Sequence, residues 1–333
     1  MPYRTLVLTA TLLAAGVCGA ATGTAPVIGL VTKTATNPYF VAITESAVAE
    51  AKARGAKLLT AAGKHVTDNA SQVAAVENMV AAGARTILIT ASDPKAIAPT
   101  LRKAREKGVL VIALDTAIEV PDAADALFAT DNYQAGVLIG EYAKAALSGK
   151  QAVVATLDLV PGPSVGTPRH NGFMHGFGLG APDARSSELG KDPLIVCMAD
   201  SFGDQAKGQT AMENCLQKHP GINLVYTVNE PAAAGAFNAL KKAGKEKGVT
   251  IVSVDGGCEG VKHVGAGIIA ATSQQYPTKM GSLGVAAGVE YASSGKKPQG
   301  YTDMGVTLIA GKAVAGVASK DVKAGTALCW GKL

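Results

Sequence analysis

Predicted strands and helices alternate along this chain in two successive series, and this alternation restricts the fold more than any other feature. Short apolar runs rich in β-branched residues precede segments with apolar residues at helical spacing, several of which end at glycines such as Gly55 and Gly108. The predicted strands lie at 27–31, 57–60, 86–90, 109–114 and 127–130 in the first series and at 152–157, 194–198, 224–228, 250–254 and 268–272 in the second. Repeated strand–helix units form parallel sheets covered by helices on both faces. The sequence therefore predicts an α/β protein with two doubly wound parallel-sheet domains.

Short connections are expected between these domains, because no long flexible linker separates the two series. A further predicted helix at 277–293 and a predicted strand at 304–309 follow the second series. A right-handed crossover would return this part of the chain to the first sheet. We expect an N-terminal α/β domain at 26–131 plus 276–304 and a C-terminal α/β domain at 132–275 plus 305–333. Several short crossings between two domains favour hinge motion about a cleft.

The segment before the first predicted strand, residues 1–25, has the pattern of a secretory signal peptide. A short positively charged start precedes an apolar run at 6–17, and small residues follow it. At about twelve residues the run is too short to span a bilayer. A buried N-terminal helix is the alternative, but the run has no polar face; a lipid anchor at Cys18 would call for a small residue in place of Val17. We expect cleavage between about residues 20 and 25 and a mature protein in the periplasm.

Composition and charge exclude two broad classes of protein. Hydrophobic residues make up 48% of the chain and charged residues 17%, which is incompatible with intrinsic disorder. The 31 basic and 26 acidic residues are scattered, without the basic block typical of nucleic-acid binding. Nucleic acid is therefore not an expected partner.

No sequence pattern assembles a catalytic or metal-binding site. There is no P-loop and no GxGxxG after a predicted strand, and the GxSxG match at 162–166 lies in a Gly/Pro-rich stretch, not in the elbow directly after a strand that a hydrolase requires. The five histidines form no HxxxH or HExxH pattern, and no cysteine pair has CxxC spacing. His170 is the one candidate base, but no nucleophile stands at a recognisable spacing, so a polar helix position explains it better. We expect no enzyme activity, no cofactor and no metal.

Polar side chains instead follow the predicted strands of both series, at the edge where parallel sheets bind ligands. Carboxylates accept hydrogen bonds from hydroxyls, arginine and lysine donate them, amides do both, and aromatic rings cover C–H faces. Such a set predicts a small polyhydroxylated ligand. Simpler roles remain open: Asp115 and Asp255 as helix caps, Asn37 as a turn, Tyr39 and Phe40 as core, and Arg169 in a surface ion pair. The predicted site residues are Lys33, Asn37, Tyr39, Phe40, Asp115 and Asn132 from the first series and Arg169, Asn229, Asp255 and Gln275 from the second, with Asp158 and Glu230 in equivalent places.

Seven short segments carry a family resemblance. They are KTATNPYF at 33–40, ALDT at 113–116, TDN at 130–132, RHNGF at 169–173, VNEPAA at 228–233, SVDGGC at 253–258 and QQYP at 274–277. In this order, from residue 28 to about 309, the chain resembles the ribose-type periplasmic sugar-binding proteins of ABC importers, with the type I periplasmic binding protein fold. Within that family it is most similar to the fructose-binding branch.

The resemblance implies a role for each predicted site residue. Six polar residues match the family's sugar contacts, Tyr39 and Phe40 match its aromatic pair, and Lys33 and Asn132 lie at neighbouring positions. Thr116 stands where ribose binders usually have arginine, which makes ribose itself less expected than a fructose-like sugar. Phe202 is the nearest candidate for the aromatic on the second-domain side. The six polar matches are Asn37, Asp115, Arg169, Asn229, Asp255 and Gln275.

The function implied is capture of a monosaccharide, a fructose-like hexose or a pentose, by hinged closure of a monomer and its delivery to an ABC permease in the inner membrane. A chemoreceptor is a second candidate partner. The alternatives are a receptor for a polyol, nucleoside or quorum-sensing furanone, the effector domain of a repressor, and a secreted enzyme. A repressor would need an N-terminal helix-turn-helix of about sixty residues, for which there is no room before the first predicted strand.

Four cysteines would remain after cleavage, in an oxidising compartment that permits disulfides. Four cysteines allow three pairings, and their spacing does not choose among them. We favour Cys197 with Cys215 and Cys258 with Cys329.

Overall fold

The architecture comes from a computed structural model that describes residues 24–160, 165–184 and 186–332. The predicted signal peptide, except for its last two residues, and Cys18 with its alternative role lie outside the described residues. No helix within the described ranges is both long and apolar enough to cross a membrane.

Strands and helices alternate over nearly the whole described chain. The strands are β1 (Val27–Thr32), β2 (Lys57–Ala62), β3 (Thr86–Ile89), β4 (Leu110–Leu114), β5 (Ala126–Ala129), β6 (Val154–Asp158), β7 (Ile195–Asp200), β8 (Leu224–Thr227), β9 (Thr250–Asp255), β10 (Ala271–Gln274), β11 (Gly300–Asp303) and β12 (Thr307–Ala310). The helices are α1 (Pro38–Ala53), α2 (Asn69–Ala81), α3 (Ala98–Glu106), α4 (Asn132–Leu147), α5 (Gly166–Phe177), α6 (Gln205–Lys218), α7 (Glu230–Lys242), α8 (Cys258–Gly265), α9 (Pro277–Ser294) and α10 (Val322–Leu328).

These strands form two six-stranded sheets, which confirms the predicted α/β class. The first sheet has the order β11-β5-β4-β3-β1-β2 and the second β12-β10-β9-β8-β6-β7. All pairs are parallel except β10 with β12, which is antiparallel, so the second sheet is mixed at one edge. Buried apolar residues pack against both faces of each sheet, as doubly wound sheets require.

The strand predicted at 304–309 overlaps β12 at 307–309, but one strand was predicted where the structure has two. The chain instead forms β11 in the first sheet and β12 in the second, separated by a turn in which Gly305 has a φ of 83°. The residues of β11 are exposed and polar, so their extended conformation depends on pairing with β5 rather than on an apolar pattern. The strand predicted at 268–272 lies at 271–274, and α10 was not predicted at all.

Three short crossings connect the sheets, at residues 130–131, 275–276 and 304–306. They fall between β5 and α4, between β10 and α9, and between β11 and β12. The domain division at 26–131 plus 276–304 and 132–275 plus 305–333 stays a prediction, with its boundaries at or beside these crossings.

Helices α4 and α5 of the second unit pack backbone to backbone through four glycines. A Cβ atom at Gly136 or Gly140 of α4 would overlap the carbonyl oxygen of Arg169 or Phe173. A Cβ atom at Gly172 or Gly176 of α5 would likewise overlap carbonyl oxygens of α4. The position of α5, which carries Arg169, is therefore fixed by main-chain contact. We refer to this contact as the glycine seam.

Two disulfides lie in the second unit and its tail, in the favoured pairing. Cys197 in β7 is bonded to Cys215 in α6, and Cys258 at the start of α8 is bonded to Cys329 after α10. The first bridge ties a strand to the helix that covers it. The second ties the C-terminal tail to the loop that follows β9.

Candidate functional site

A cleft lies between the two sheets, where the carboxyl ends of their strands face each other. The cavity that remains inside the cleft is small, about 50 Å³. Side chains on both sides are almost fully buried, with Lys33 3%, Arg169 4% and Asp255 4% exposed. The cleft is therefore closed in this structure. The lining residues are Lys33, Asn37, Tyr39, Phe40, Val66, Asp115, Leu159, Val165, Arg169, Phe202, Gly203, Val228, Asn229 and Asp255.

The first-domain side is built around an ion pair between Lys33 and Asp115. Lys33 Nζ donates to Asp115 Oδ2 at 3.2 Å, and Thr116 Oγ1 donates to the same oxygen at 2.8 Å. Burial lowers the pKa of Lys33, and the adjacent Asp115 carboxylate partly offsets this. Asp115 directly follows β4 with a φ of 62°, a left-handed conformation that turns its side chain into the cleft. Asp115 therefore faces the cavity instead of capping a helix.

Aromatic and amide groups complete the first-domain side. Tyr39 and Phe40 meet edge to face with ring centroids 5.6 Å apart, and Lys33 Nζ lies 5.6 Å from the Phe40 centroid. Asn37 Oδ1 accepts from the Tyr39 N–H at 2.9 Å and so caps α1. Asn37 thus serves as a helix cap and as a lining residue. Tyr39 and Phe40 belong to the buried core as well as to the cleft.

Arg169, on the first turn of α5, organises the second-domain side. Its Nε donates to Asn132 Oδ1 at 2.8 Å, and its Nη1 donates to the Val228 carbonyl oxygen at 2.9 Å. Nη1 also lies 3.7 Å from Asp255 Oδ1. Asn132 stands just after the first crossing, so the hinge region itself orients the guanidinium. The alternative of a surface ion pair is excluded for this buried arginine.

Asp255 stands at the end of β9 and faces Arg169. Gln275 Nε2 donates to Asp255 Oδ1 at 2.9 Å from the second crossing. Burial raises the pKa of Asp255 to about 7, although Arg169 opposes this shift. Its φ of 143° is unusual for a residue with a side chain and marks local strain at the cleft.

Glu230 holds the turn that follows Asp255. Its carboxylate accepts from the N–H groups of Gly256 and Gly257 at 2.8 and 3.0 Å and from Thr272 Oγ1 at 2.8 Å. Burial, together with the nearby Asp255 carboxylate, raises the pKa of Glu230 to about 8. The sequence placed Glu230 at a strand end, and the structure shows that it fixes the backbone next to Asp255.

His170 forms a buried pair with Asp158 behind Arg169. His170 Nδ1 lies 2.8 Å from Asp158 Oδ1, and Nε2 lies 3.0 Å from the Gly190 carbonyl oxygen. Because both partners are acceptors, the ring must donate from both nitrogens, and Asp158 raises the pKa of His170 against the effect of burial. These contacts are structural and do not place His170 at the cavity. Within the described ranges, no cluster of three His, Cys, Asp or Glu side chains has the arrangement of a metal site.

Eight of the ten predicted site residues line the cavity. Asn132 and Gln275 do not line it; they hydrogen-bond to Arg169 and Asp255, which do. Asn229 lines the cavity and also caps α7. Phe202, the suggested second-domain aromatic, is part of the lining. The lining residues not predicted are Val66, Leu159, Val165, Gly203 and Val228, apolar or small side chains near strand ends that no polar pattern would reveal.

Two α/β domains that close over a small polar cleft, with cation–carboxylate pairs on both sides, define a solute-binding protein. The chain belongs to the periplasmic binding protein domain family, which matches residues 28–297. Its relatives identify it as a ribose-type sugar-binding protein, as the sequence resemblance indicated.

Similar proteins support this assignment over most of the chain. The ribose import binding protein RbsB of Bacillus subtilis is 31% identical over 273 residues, which cover 82% of this chain and 83% of that protein. The D-allose-binding periplasmic protein of Escherichia coli is 26% identical over 273 residues, which cover 80% of this chain and 85% of that protein. A solved galactofuranose-binding protein superposes with a TM-score of 0.77 at 26% identity, covering 86% of this chain and 95% of its own.

Membership in this family establishes the class of protein, whereas the relatives' names bear on the sugar. The family consists of periplasmic substrate-binding proteins of ABC transporters and not of enzymes. The relatives described above are named for binding ribose, allose or galactofuranose, and none of these three names mentions fructose.

Proposed function

We propose that the protein captures a monosaccharide, a hexose or a pentose, between its two domains and delivers it to an ABC transporter permease. The observation that carries this proposal is the opposed placement of two cation–carboxylate pairs, Lys33–Asp115 and Arg169–Asp255, in one closed cavity. Each pair offers both a donor and an acceptor, which is what adjacent hydroxyl groups of a sugar require. Relatives that bind ribose, allose and galactofuranose support a sugar of this size.

Closure is the proposed mechanism of capture. The ligand would touch residues of both domains only when the cleft is shut, so its binding energy would stabilise the closed form. Asn132 and Gln275 stand at two crossings and hydrogen-bond to Arg169 and Asp255, so hinge closure and site geometry would change together. The permease in the inner membrane would then receive the closed, loaded protein; a chemoreceptor remains a second candidate partner, and a monomer suffices for both.

Lys33 bears on which sugar is bound. The family's ribose binders usually carry arginine where Thr116 stands, yet Lys33 Nζ reaches both Asp115 and Thr116. A cationic donor is therefore present at this position, supplied from β1 instead of from the strand end of β4. This arrangement weakens the sequence argument against an aldose such as ribose or allose, and both belong in the test beside fructose.

A thermal-shift screen of the ligand-free protein tests the proposal. Binding to the folded state raises the melting temperature by mass action. The panel is fructose, ribose, allose, galactofuranose, sugar alcohols and nucleosides, followed by calorimetric titration of each positive compound. A shift with a monosaccharide is expected. A shift with a nucleoside or polyol alone would reassign the ligand, and no shift with any compound would contradict the proposal.

A further inference from the structure

The C-terminal tail extends beyond the matched family range of 28–297 and returns to the cleft. After β12 the chain forms α10 and reaches Cys329, which is bonded to Cys258 at the start of α8. The Cys258 N–H donates to the Trp330 carbonyl oxygen at 2.9 Å. The tail is therefore fixed to the second domain three residues after Asp255, at the turn that Glu230 holds.

Trp330 also connects the tail to the first domain. Its ring meets Tyr39 edge to face with centroids 5.3 Å apart, and its side chain joins the apolar core cluster of the first domain. Its Nε1 donates to the Gln275 carbonyl oxygen at 3.0 Å, at the second crossing. Trp330 is only 6% exposed. Trp330 thus contacts Tyr39, which lines the cavity, and Gln275, which lies at the second crossing, without lining the cavity itself.

Tyr39 and Gln275 are also joined to each other. Tyr39 Oη lies 3.3 Å from Gln275 Oε1, and Gln275 Nε2 donates to Asp255 Oδ1. Trp330, Tyr39, Gln275 and Asp255 therefore form a continuous chain of contacts from the tail to the cavity. Removing the indole ring would leave space beside Tyr39 and a buried carbonyl without its donor.

We propose that Trp330, held by the Cys258–Cys329 disulfide, is a positioning residue for the ligand site. This inference rests on the proposed function. Trp330 keeps Tyr39 and Gln275 in the orientation that the closed cleft needs, so that the ligand does not have to order them on binding. Ordering loose side chains at a binding site costs affinity.

The experiment compares the two disulfides of the chain. C258S/C329S releases the tail, and C197S/C215S is the matched control, because that bridge joins β7 to α6 and its cysteines do not line the cavity. Both variants are expected to melt at lower temperature than wild type. The dissociation constant is measured by calorimetry for the sugar that gives the largest thermal shift, below the melting temperature of every variant.

The tail variant is expected to bind that sugar about tenfold or more weakly, whereas the control keeps an affinity within about twofold of wild type. Trp330→Ala should reproduce the loss, and Trp330→Phe, which keeps a ring against Tyr39, should restore most of the affinity. Equal affinities in C258S/C329S, Trp330→Ala and wild type would overturn the proposal, as would equal losses from both disulfides. If wild type binds no sugar in the screen, the proposed function fails and this proposal fails with it.

Discussion

The two sides of the cleft hold the same kind of ion pair but support it differently. Lys33 and Asp115 on the first-domain side are backed by one hydroxyl, Thr116, and by aromatic rings. Arg169 and Asp255 on the second-domain side sit in a network that includes residues at or beside two of the three crossings. The first pair is compact and local, whereas the second depends on several segments of the chain.

The charge balance differs in the same way. The first side has one cation for one carboxylate at 3.2 Å. On the second side Arg169 faces Asp255 at 3.7 Å, with the Glu230 carboxylate also buried nearby. Buried carboxylates without a full complement of cations bind protons more tightly. The second side is therefore expected to respond more strongly both to mutation and to pH.

Loss of the guanidinium should have the largest effect. Arg169→Met removes the donors to Asn132 and Val228 and leaves Asp255 buried without its cation. We expect the free energy of unfolding to fall by about 3–5 kcal/mol and sugar binding to become undetectable. Urea denaturation and calorimetric titration measure the two effects. Equal losses of stability and of sugar binding in the corresponding Lys33 variant would contradict the expected difference between the two sides of the cleft.

Lys33→Met is that corresponding change on the first side. It removes one donor from Asp115 but leaves Thr116 Oγ1 in place. We expect the free energy of unfolding to fall by about 1–3 kcal/mol and affinity for the sugar to fall more than tenfold, by roughly 2 kcal/mol. The same two measurements apply. A variant with wild-type affinity would remove Lys33 from the site.

The pH dependence should come from the second side. The raised pKa values of Asp255 and Glu230, about 7 and about 8, mean that the folded protein holds protons that the unfolded chain has released. Their contribution to stability is present at low pH and is lost as the pH rises through those values. Sugar hydroxyls prefer the ionised Asp255, so affinity should rise by roughly tenfold between about pH 6 and 8.

Asp255→Asn tests the origin of that rise. It removes the titrating carboxyl group, while Arg169 and Asp115, the charged groups that face this position, remain. The rise in affinity between about pH 6 and 8 is expected to disappear, because no carboxyl group at this position changes its protonation state. Calorimetry in buffers of different ionisation enthalpy counts the protons released on binding. A profile identical to that of wild type would show that Asp255 does not titrate as proposed.

The smallest effect is expected from Tyr39→Phe. The change removes one hydroxyl at 3.3 Å from Gln275 Oε1 but keeps the ring against Phe40 and Trp330. We expect the dissociation constant to rise by about threefold or less, since a single neutral hydrogen bond contributes about 1 kcal/mol. A loss as large as that of Lys33→Met would mean that the hydroxyl contacts the ligand directly.

The sequence was sufficient to predict the α/β class and most residues of the cleft, because both depend on local patterns. Apolar runs become parallel strands, and polar residues at their carboxyl ends meet at one edge. This reasoning placed Asp115, Arg169 and Asp255 on the cleft. It also included Asn132 and Gln275, which lie at the crossings and contact the lining residues from behind.

Features that depend on distant partners were not predictable in this way. The exposed strand β11 forms because β5 offers an edge, and its own residues carry no strand pattern. In the sequence Glu230 is one more residue at a strand end. Its role appears only in the folded turn, where the N–H groups of Gly256 and Gly257 donate hydrogen bonds to its carboxylate. Trp330 lies 291 positions from Tyr39 in the sequence, so no local pattern could bring them together.

The glycine seam between α4 and α5 bears on how binding specificity could be altered by design. Since main-chain contact sets the spacing of the two helix axes, side chains that project from α5 into the cleft can be exchanged without moving the helix. A larger residue at Gly136 or Gly172 would instead push α5, with Arg169, away from its acceptors. A library that seeks new ligand preferences should therefore vary the cleft-facing positions and keep the four seam glycines constant.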